Sequence, residues 1–126
     1  DKKNTLLIGD CSSVINAFFS LCDTNTVLSV GESCLLSSDV IIRTSDSHSI
    51  INALGERLNP GANVIIGNHV WICNGARIMK GCVIGNDCII GSNTVVTGGD
   101  IQDNQLVVGN PHRVVKECVS WLYKRL

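Results

Sequence analysis

Large rings are nearly missing from this chain. Phe, Trp and Tyr supply 4% of its 126 residues, although 44% are hydrophobic. A conventional globular core takes much of its buried area from aromatics, so this interior has to be thin and filled by Ile, Val, Cys and Ala. Charge is sparse as well. Only 17% of residues are charged and the net charge is -1, which gives no basic field for nucleic acid. No run of apolar residues is long enough for a membrane-spanning helix, and no basic-then-apolar leader opens the chain. Asp1 rather than Met comes first, which leaves room for residues upstream. The seven cysteines follow no regular metal or disulfide spacing. Cys34, Cys82 and Cys88 fall at inward positions on the counting below and read as small reduced hydrophobes. That reading favours the cytoplasm.

What the chain has is a period. Counting in sixes puts Pro60, Ile66, Ile72, Ile78, Ile84, Ile90 and Val96 in one column. The next column holds Gly61, Gly67, Gly85 and Gly91, and two places before each aliphatic stand Val64, Val70, Ala76, Cys82, Cys88 and Thr94. A hexapeptide period is the signature of a parallel β-helix. Alternation along each strand turns Val70 and Ile72 inward and Trp71 outward. The glycine column is expected to let the chain turn at positive φ. If three hexads close a triangular coil, Ile66 stacks on Ile84 and Ile72 on Ile90, with strands about 4.8 Å apart. One hexad cannot bury its own face, so stability comes from stacked coils.

Length fits one domain, 1–126. Residues 1–29 are an irregular first coil or cap: Ile8-Gly9-Asp10 through Val14 fits one hexad, out of phase with the later columns. Regular coils run over 30–110, with Leu36 and Ile42 in phase. Arg43 to Asn59 breaks the pattern, and strict counting would bury His48 there. An unpartnered imidazole in the core is costly, so an excursion that turns His48 outward is expected. After Gly109-Asn110-Pro111, Val114, Val115, Cys118, Val119 and Leu122 fall at helical spacing. They predict a short C-terminal helix over 111–126, packed on the open end of the prism. The outward column predicts two apolar stripes, Ile65, Val83 and Ile101 on one face and Trp71, Ile89 and Val107 on another.

Runs such as IIGNHVWICNGARI and CVIGNDCIIGSNTVVTG resemble the hexapeptide-repeat acyltransferases. The resemblance covers roughly residues 30 to 118 and implies an all-β, left-handed parallel β-helix of 18-residue triangular coils. Within that group, Ile41-Ile42-Arg43-Thr44-Ser45-Asp46-Ser47-His48-Ser49-Ile50, then Gly55 to Asn59, then Val70-Trp71-Ile72, resembles bacterial O-acetyltransferases of cell-surface sugars. His48 is then the general base that takes the proton of an acceptor hydroxyl, a task that suits neutral imidazole. Asp46, two residues away, would orient the ring as a triad carboxylate does, or cap the loop as an Asx residue. The acidic residue that often follows the family's His is Asn52 here. Trp71 matches the Trp of the family's V-W-I motif and would line the site near the acetyl group.

Acetyl-CoA as co-substrate comes from the same resemblance, bound in a groove between two prisms of a homotrimer. The matching positions are Trp71, Asn74, Ser92 and Thr97, with Arg113 and Lys116 toward the nucleotide phosphates. Where the family often has Lys after the equivalent of Thr97, this chain has Gly98-Gly99, so Lys80 is a candidate substitute. A backbone N–H near the Gly75 turn is the expected oxyanion donor.

Rival readings have weaker support. A γ-class carbonic anhydrase needs three zinc-bound histidines, two of them five apart; His48, His69 and His112 include no such pair, so no metal is expected. His69 falls in a turn and is expected to face solvent. A structural β-helix would show a regular outward Thr ladder, which is lacking. The remaining alternative is an N-acetyltransferase of an amino sugar or sugar nucleotide. The sequence thus points to transfer of an acetyl group from acetyl-CoA to a saccharide hydroxyl, with no nucleic acid or membrane insertion.

Overall fold

Inward aliphatics every sixth residue close the backbone into a triangular prism. The computed structural model describes residues 2–126. The first coil holds β1 (Thr5–Ile8), β2 (Ser13–Val14) and β3 (Ala17–Ser20). The second holds β4 (Val27–Val30), β5 (Leu35–Leu36) and β6 (Val40–Arg43), and the third β7 (Val64–Ile66), β8 (Trp71–Ile72) and β9 (Arg77–Ile78). The fourth is β10 (Cys82–Ile84), β11 (Ile89–Ile90) and β12 (Val95–Val96), followed by β13 (Gly99–Ile101), β14 (Leu106–Val108) and β15 (Arg113–Lys116). Like strands stack in parallel as three sheets: β1-β4-β7-β10-β13 on the first face, β2-β5-β8-β11-β14 on the second, β3-β6-β9-β12 on the third. β15 joins the end of the second sheet antiparallel to β14.

The core is the predicted column. Leu36, Ile42, Ile66, Ile72, Ile78, Ile84, Ile90 and Val96 are all buried, with Cys34, Cys82 and Cys88 among them. The seven cysteines are free, and burial pushes the Cys82 thiol up to about 11. Cys34, Cys82 and Cys88 pack as hydrophobes, and their burial makes them poor nucleophiles.

Coil length varies, and its arithmetic explains the phase of the repeat. Ser12 Oγ meets Cys34 N across 22 residues, so the first coil is not a whole number of hexads and its columns fall out of step. From the second coil to the third, Glu32 N donates to Asn68 Oδ1 across 36 residues, twice the 18 that separate Asn68 from Asn86 one coil on. The excursion therefore adds whole hexads, and the phase survives it. From the fourth coil to the next, the step from Asn86 to Asp103 is 17 residues. That single missing residue corrects the predicted stripes. Ile101 stacks on Ile84 and Val107 on Ile90, both in the core, because a one-residue slip flips every side chain. Asp100 and Leu106 stand in the outward positions instead, beside Val83 and Ile89.

The glycine column also has a different cause from the one expected. The positive φ values at this corner belong to Ser33, His69, Asp87 and Asn104, not to Gly67 or Gly85. Gly67 is required by proximity: a Cβ there would lie 2.5 Å from Asn86 Oδ1 and 3.0 Å from the Gly85 carbonyl carbon. The side chains that crowd it form a ladder. Asn86 Oδ1 accepts from Asn68 N at 2.8 Å, and Asp103 Oδ1 accepts from Asn86 N at 2.8 Å.

The predicted C-terminal helix is absent. β-Branched Val114 and Val115, weak helix formers, extend in β15, and Cys118 at φ 57 breaks any helical run. The tail then follows the corner between the first and second sheets. Val119 N donates to Asn104 O, Ser120 Oγ bonds Asp87 Oδ1, and Trp121 Nε1 donates to His69 O at 2.8 Å. His69 is not solvated as expected: its ring stacks on Trp121 at 4.3 Å and bonds Asp87 at 2.7 Å. Gly109 to His112 bonds both the N–H and the carbonyl of Val95, covering the end of the third sheet.

Two substitutions test this account by chemical denaturation. Ile84→Ala should cost about 2–5 kcal/mol, as for buried aliphatic truncations. Asn86→Ala, which removes one ladder acceptor, should cost about 1 kcal/mol. The reverse ranking would show that the ladder, not the aliphatic column, carries the coil.

Candidate active site

The excursion leaves the prism at the end of β6 and returns at Pro60. Its arm closes on an antiparallel bridge between Ile51 and Arg57, with Asn52 Oδ1 accepting from Leu54 N and Glu56 N at 2.9 and 3.0 Å. Gly55 sits at the tip with φ 80. His48 lies on the outgoing limb, exposed, as the unaffordable core position required.

A polar network fixes the foot of this arm. Asp23 of the first coil receives Arg57 through two bonds of 2.9 and 3.0 Å and Ser45 Oγ at 2.7 Å. Those donors, the Arg57 bonds first, hold its carboxyl down at about 2. Ser45 Oγ in turn accepts from Ser47 N. Asn59, which is buried, donates to Asp46 Oδ2 and His48 O, each at 2.9 Å, and accepts from Ile50 N at 2.7 Å. Lys80 Nζ reaches Asp46 Oδ2 at 2.7 Å and Pro60 O at 3.0 Å.

Asp46 is therefore not placed as a triad carboxylate. Its partners are Lys80 and Asn59, whose bonds lower its pKa, and among the described residues no hydrogen bond joins it to His48. Lys80 directs two of its three N–H donors to Asp46 and Pro60, which ties its ammonium to the foot of the arm. Gly75 N–H donates to Ser38 O at 3.0 Å, which removes that amide as an oxyanion donor.

The other predicted residues divide between two edges. Asn74 and Ser92 are exposed at the corner that follows the second sheet, one coil apart. Arg113 and Lys116, both exposed, lie on β15 at the end of that sheet. Thr97 is at the next corner, after β12, where its N–H donates to His112 Nδ1. Trp71 is half-buried on the second sheet, its Nε1 3.2 Å from Ser37 Oγ and its ring 5.8 Å from that of Trp121. Ile15, Leu35, Leu122, Tyr123 and Arg125 complete a 360 Å³ cleft around the two indoles. His48 leaves from the far end of the third sheet, so the residues predicted to act together are spread over two faces of one chain.

Asp23, Arg57 and Asn59 escaped the sequence reading. Asp23 and Arg57 are 34 residues apart, and no repeat links a corner of the first coil to the returning limb of the arm. Asn59-Pro60 was visible only as the end of a polar segment. Trp121 lies beyond the last hexad, where column counting stops.

The bacterial transferase hexapeptide family (six repeats) matches residues 63–98. Over 121 residues the chain is 35% identical to a polysialic acid O-acetyltransferase of Escherichia coli O1:K1 / APEC, covering 95% of this chain and 39% of that protein. The crystal structure of NeuO, a polySia-specific acetyltransferase, superposes with a TM-score of 0.89 at 29% identity, covering 98% of this chain and 52% of that one. A Vibrio cholerae hexapeptide-repeat acetyltransferase complexed with acetyl coenzyme A shares the fold at 20% identity and a TM-score of 0.66, over 88% of this chain and 70% of its own. The chain thus spans about half or less of the first two relatives. Period, stacked triangular coils and matching sequence agree: residues 63–98 carry the bacterial transferase hexapeptide repeat, and the chain is folded as a left-handed parallel β-helix.

Proposed function

We propose that this chain is the single β-helix domain, 1–126, of an acetyl-CoA-dependent O-acetyltransferase that acts on a saccharide hydroxyl. One observation carries the reading. The repeat is broken once for a long arm, and that arm presents an exposed imidazole, His48, on a foot held by five polar side chains, Asp23, Arg57, Asn59, Asp46 and Lys80. Similarity to polysialic acid O-acetyltransferases over 95% of the chain supports a saccharide acceptor.

His48 takes the proton of the acceptor hydroxyl as its oxygen bonds to the thioester carbonyl carbon. Collapse of the tetrahedral intermediate breaks the C–S bond, and the imidazolium returns the proton to the leaving thiolate. Transfer is direct; the buried cysteines form no acyl-enzyme. Acetyl-CoA supplies the activated acetyl group. Asn74 and Ser92 stand one coil apart at the corner after the second sheet, and Arg113 and Lys116 cross the end of that sheet on β15, a set that fits an extended, phosphate-bearing ligand, with Trp71 toward the acetyl end.

The spread of these residues over two faces supports a homotrimer with shared sites. Ile65 and Val83 remain 37% and 43% exposed side by side on the first sheet. A second chain that covers them brings His48 of one protomer to the groove of the next; unlike faces in contact close a ring. The free thiols and the lack of any described helix long enough to cross a membrane support a cytoplasmic setting.

Three outcomes follow. His48→Ala should lower transfer by roughly 10²–10⁴-fold, the usual worth of a general base, with acetyl-CoA affinity kept. An unchanged rate in His48→Ala, assayed with acetyl-CoA on a saccharide panel, would remove the base. Replacing Arg113 and Lys116 together should raise KM for acetyl-CoA more than it lowers kcat; an unchanged KM would place the phosphates elsewhere. Val83→Arg should abolish trimer and activity together in multi-angle light scattering and transfer assays. An active monomer of 13.5 kDa would refute the shared site, and acetylation of amino sugars alone would make the enzyme an N-acetyltransferase.

A further inference from the structure

Asn59 uses every hydrogen-bonding position its side chain has. An amide offers two N–H donors and two lone pairs on oxygen. Here Nδ2 donates to Asp46 Oδ2 and to His48 O, both at 2.9 Å, while Oδ1 accepts from Ile50 N at 2.7 Å and Arg57 Nε at 3.4 Å. The reversed amide would set NH2 against two donors, so the network itself fixes the orientation. Two of the four partners are backbone groups directly after the base: the carbonyl of His48 itself and the amide of Ile50, two residues on. Asn59 is buried although the arm around it is exposed. An exposed loop offers no packing to hold a backbone still, and one saturated amide supplies that restraint.

Each remaining partner ties this amide to a different coil. Asp46 is gripped by Lys80 from the third coil at 2.7 Å, and Arg57 by Asp23 from the first at 2.9 and 3.0 Å. The carboxylate expected to orient His48 directly thus acts one step removed.

We propose that Asn59 is the positioning residue of the catalytic base, holding the backbone that leaves His48 through the His48 carbonyl and the Ile50 amide, with Asp46–Lys80 and Asp23–Arg57 as its anchors. This rests on the reading of His48 as the base. The decisive variant is Asn59→Asp, which is isosteric and keeps the acceptor for Ile50 N but replaces both donors by a carboxylate oxygen facing Asp46. Transfer kcat should fall roughly 10²-fold, the scale of a small misplacement of reacting groups, with KM for acetyl-CoA within about twofold. In a His48→Ala background the same change should alter the rate by less than about twofold, because effects that act through one residue do not add. Reduced rates that multiply in the double variant would show a general structural role and overturn the proposal. The exchange Asp46→Asn with Asn59→Asp keeps charge and one donor–acceptor pair, yet leaves the His48 carbonyl without a donor. It should stay as slow as Asn59→Asp; recovery would overturn the proposal. In the unaltered protein, hydrogen exchange at the Ile50 amide should be slow, and a rate typical of free chain would contradict the bond. A fully active His48→Ala would sink the base reading itself, whereas an inactive His48→Ala beside a fully active Asn59→Asp would sink only the positioning role.

Discussion

In-register stacking of coils is the constraint on which the molecule depends. Each coil finds backbone partners only in the coil above and below, and strand alternation sends every second side chain inward. Any insertion must therefore return the chain with its inward residues still inward. The excursion satisfies this by adding a whole number of hexads, which is why Ile42 still stacks on Ile78 after it. The 17-residue step satisfies it in another way, by changing which residues count as inward, so Ile101 is buried and Asp100 is not. A narrow interior follows directly. It is filled mainly by aliphatics and thiols, with the Phe19 ring packed against it in the first coil, and the indoles of Trp71 and Trp121 sit on the outside of the sheets.

The same constraint shapes the candidate site. A prism of identical hexads offers only repetitive surface, so chemistry needs a place where the repeat is broken. The arm supplies it, and the cost is a segment with little packing of its own. Side chains at its foot offset that cost. Asn59, Asp46 and Lys80 tie the outgoing limb to the returning one, and Asp23 ties Arg57 back to the first coil. These are mostly exposed pairs, each of modest worth alone, and their use here is geometric: they converge on the backbone around His48.

The parallel coil, its inward column and the outward turn of His48 were legible because each follows from a period of six. The register of the last coil was not, since one missing residue near Gly98-Gly99 leaves no mark on composition or motif. The C-terminal segment misled for a physical reason: Val114, Val115 and Leu122 have helical spacing, but a free sheet edge at β14 outcompetes an isolated helix of weak formers. Glycine was read as a conformational need and proved to be one of space, because stacking brings the next coil's asparagine where a Cβ would be. For the site, motifs mark His48 and Trp71 as candidates, while the residues that hold the arm carry no motif. Asn59 and Asp23 have no signature apart from the contacts they make in three dimensions.

On the proposed reading, the arm holds His48 against an acceptor hydroxyl. A crystal structure of the assembled protein with coenzyme A and a saccharide acceptor tests it most directly. A sugar oxygen is expected within about 3 Å of the His48 imidazole, facing a thiol in the groove lined by Trp71, Asn74 and Ser92 of the adjoining protomer. An acceptor bound away from His48, or a coenzyme whose thiol lies on a different edge of the prism, would contradict it.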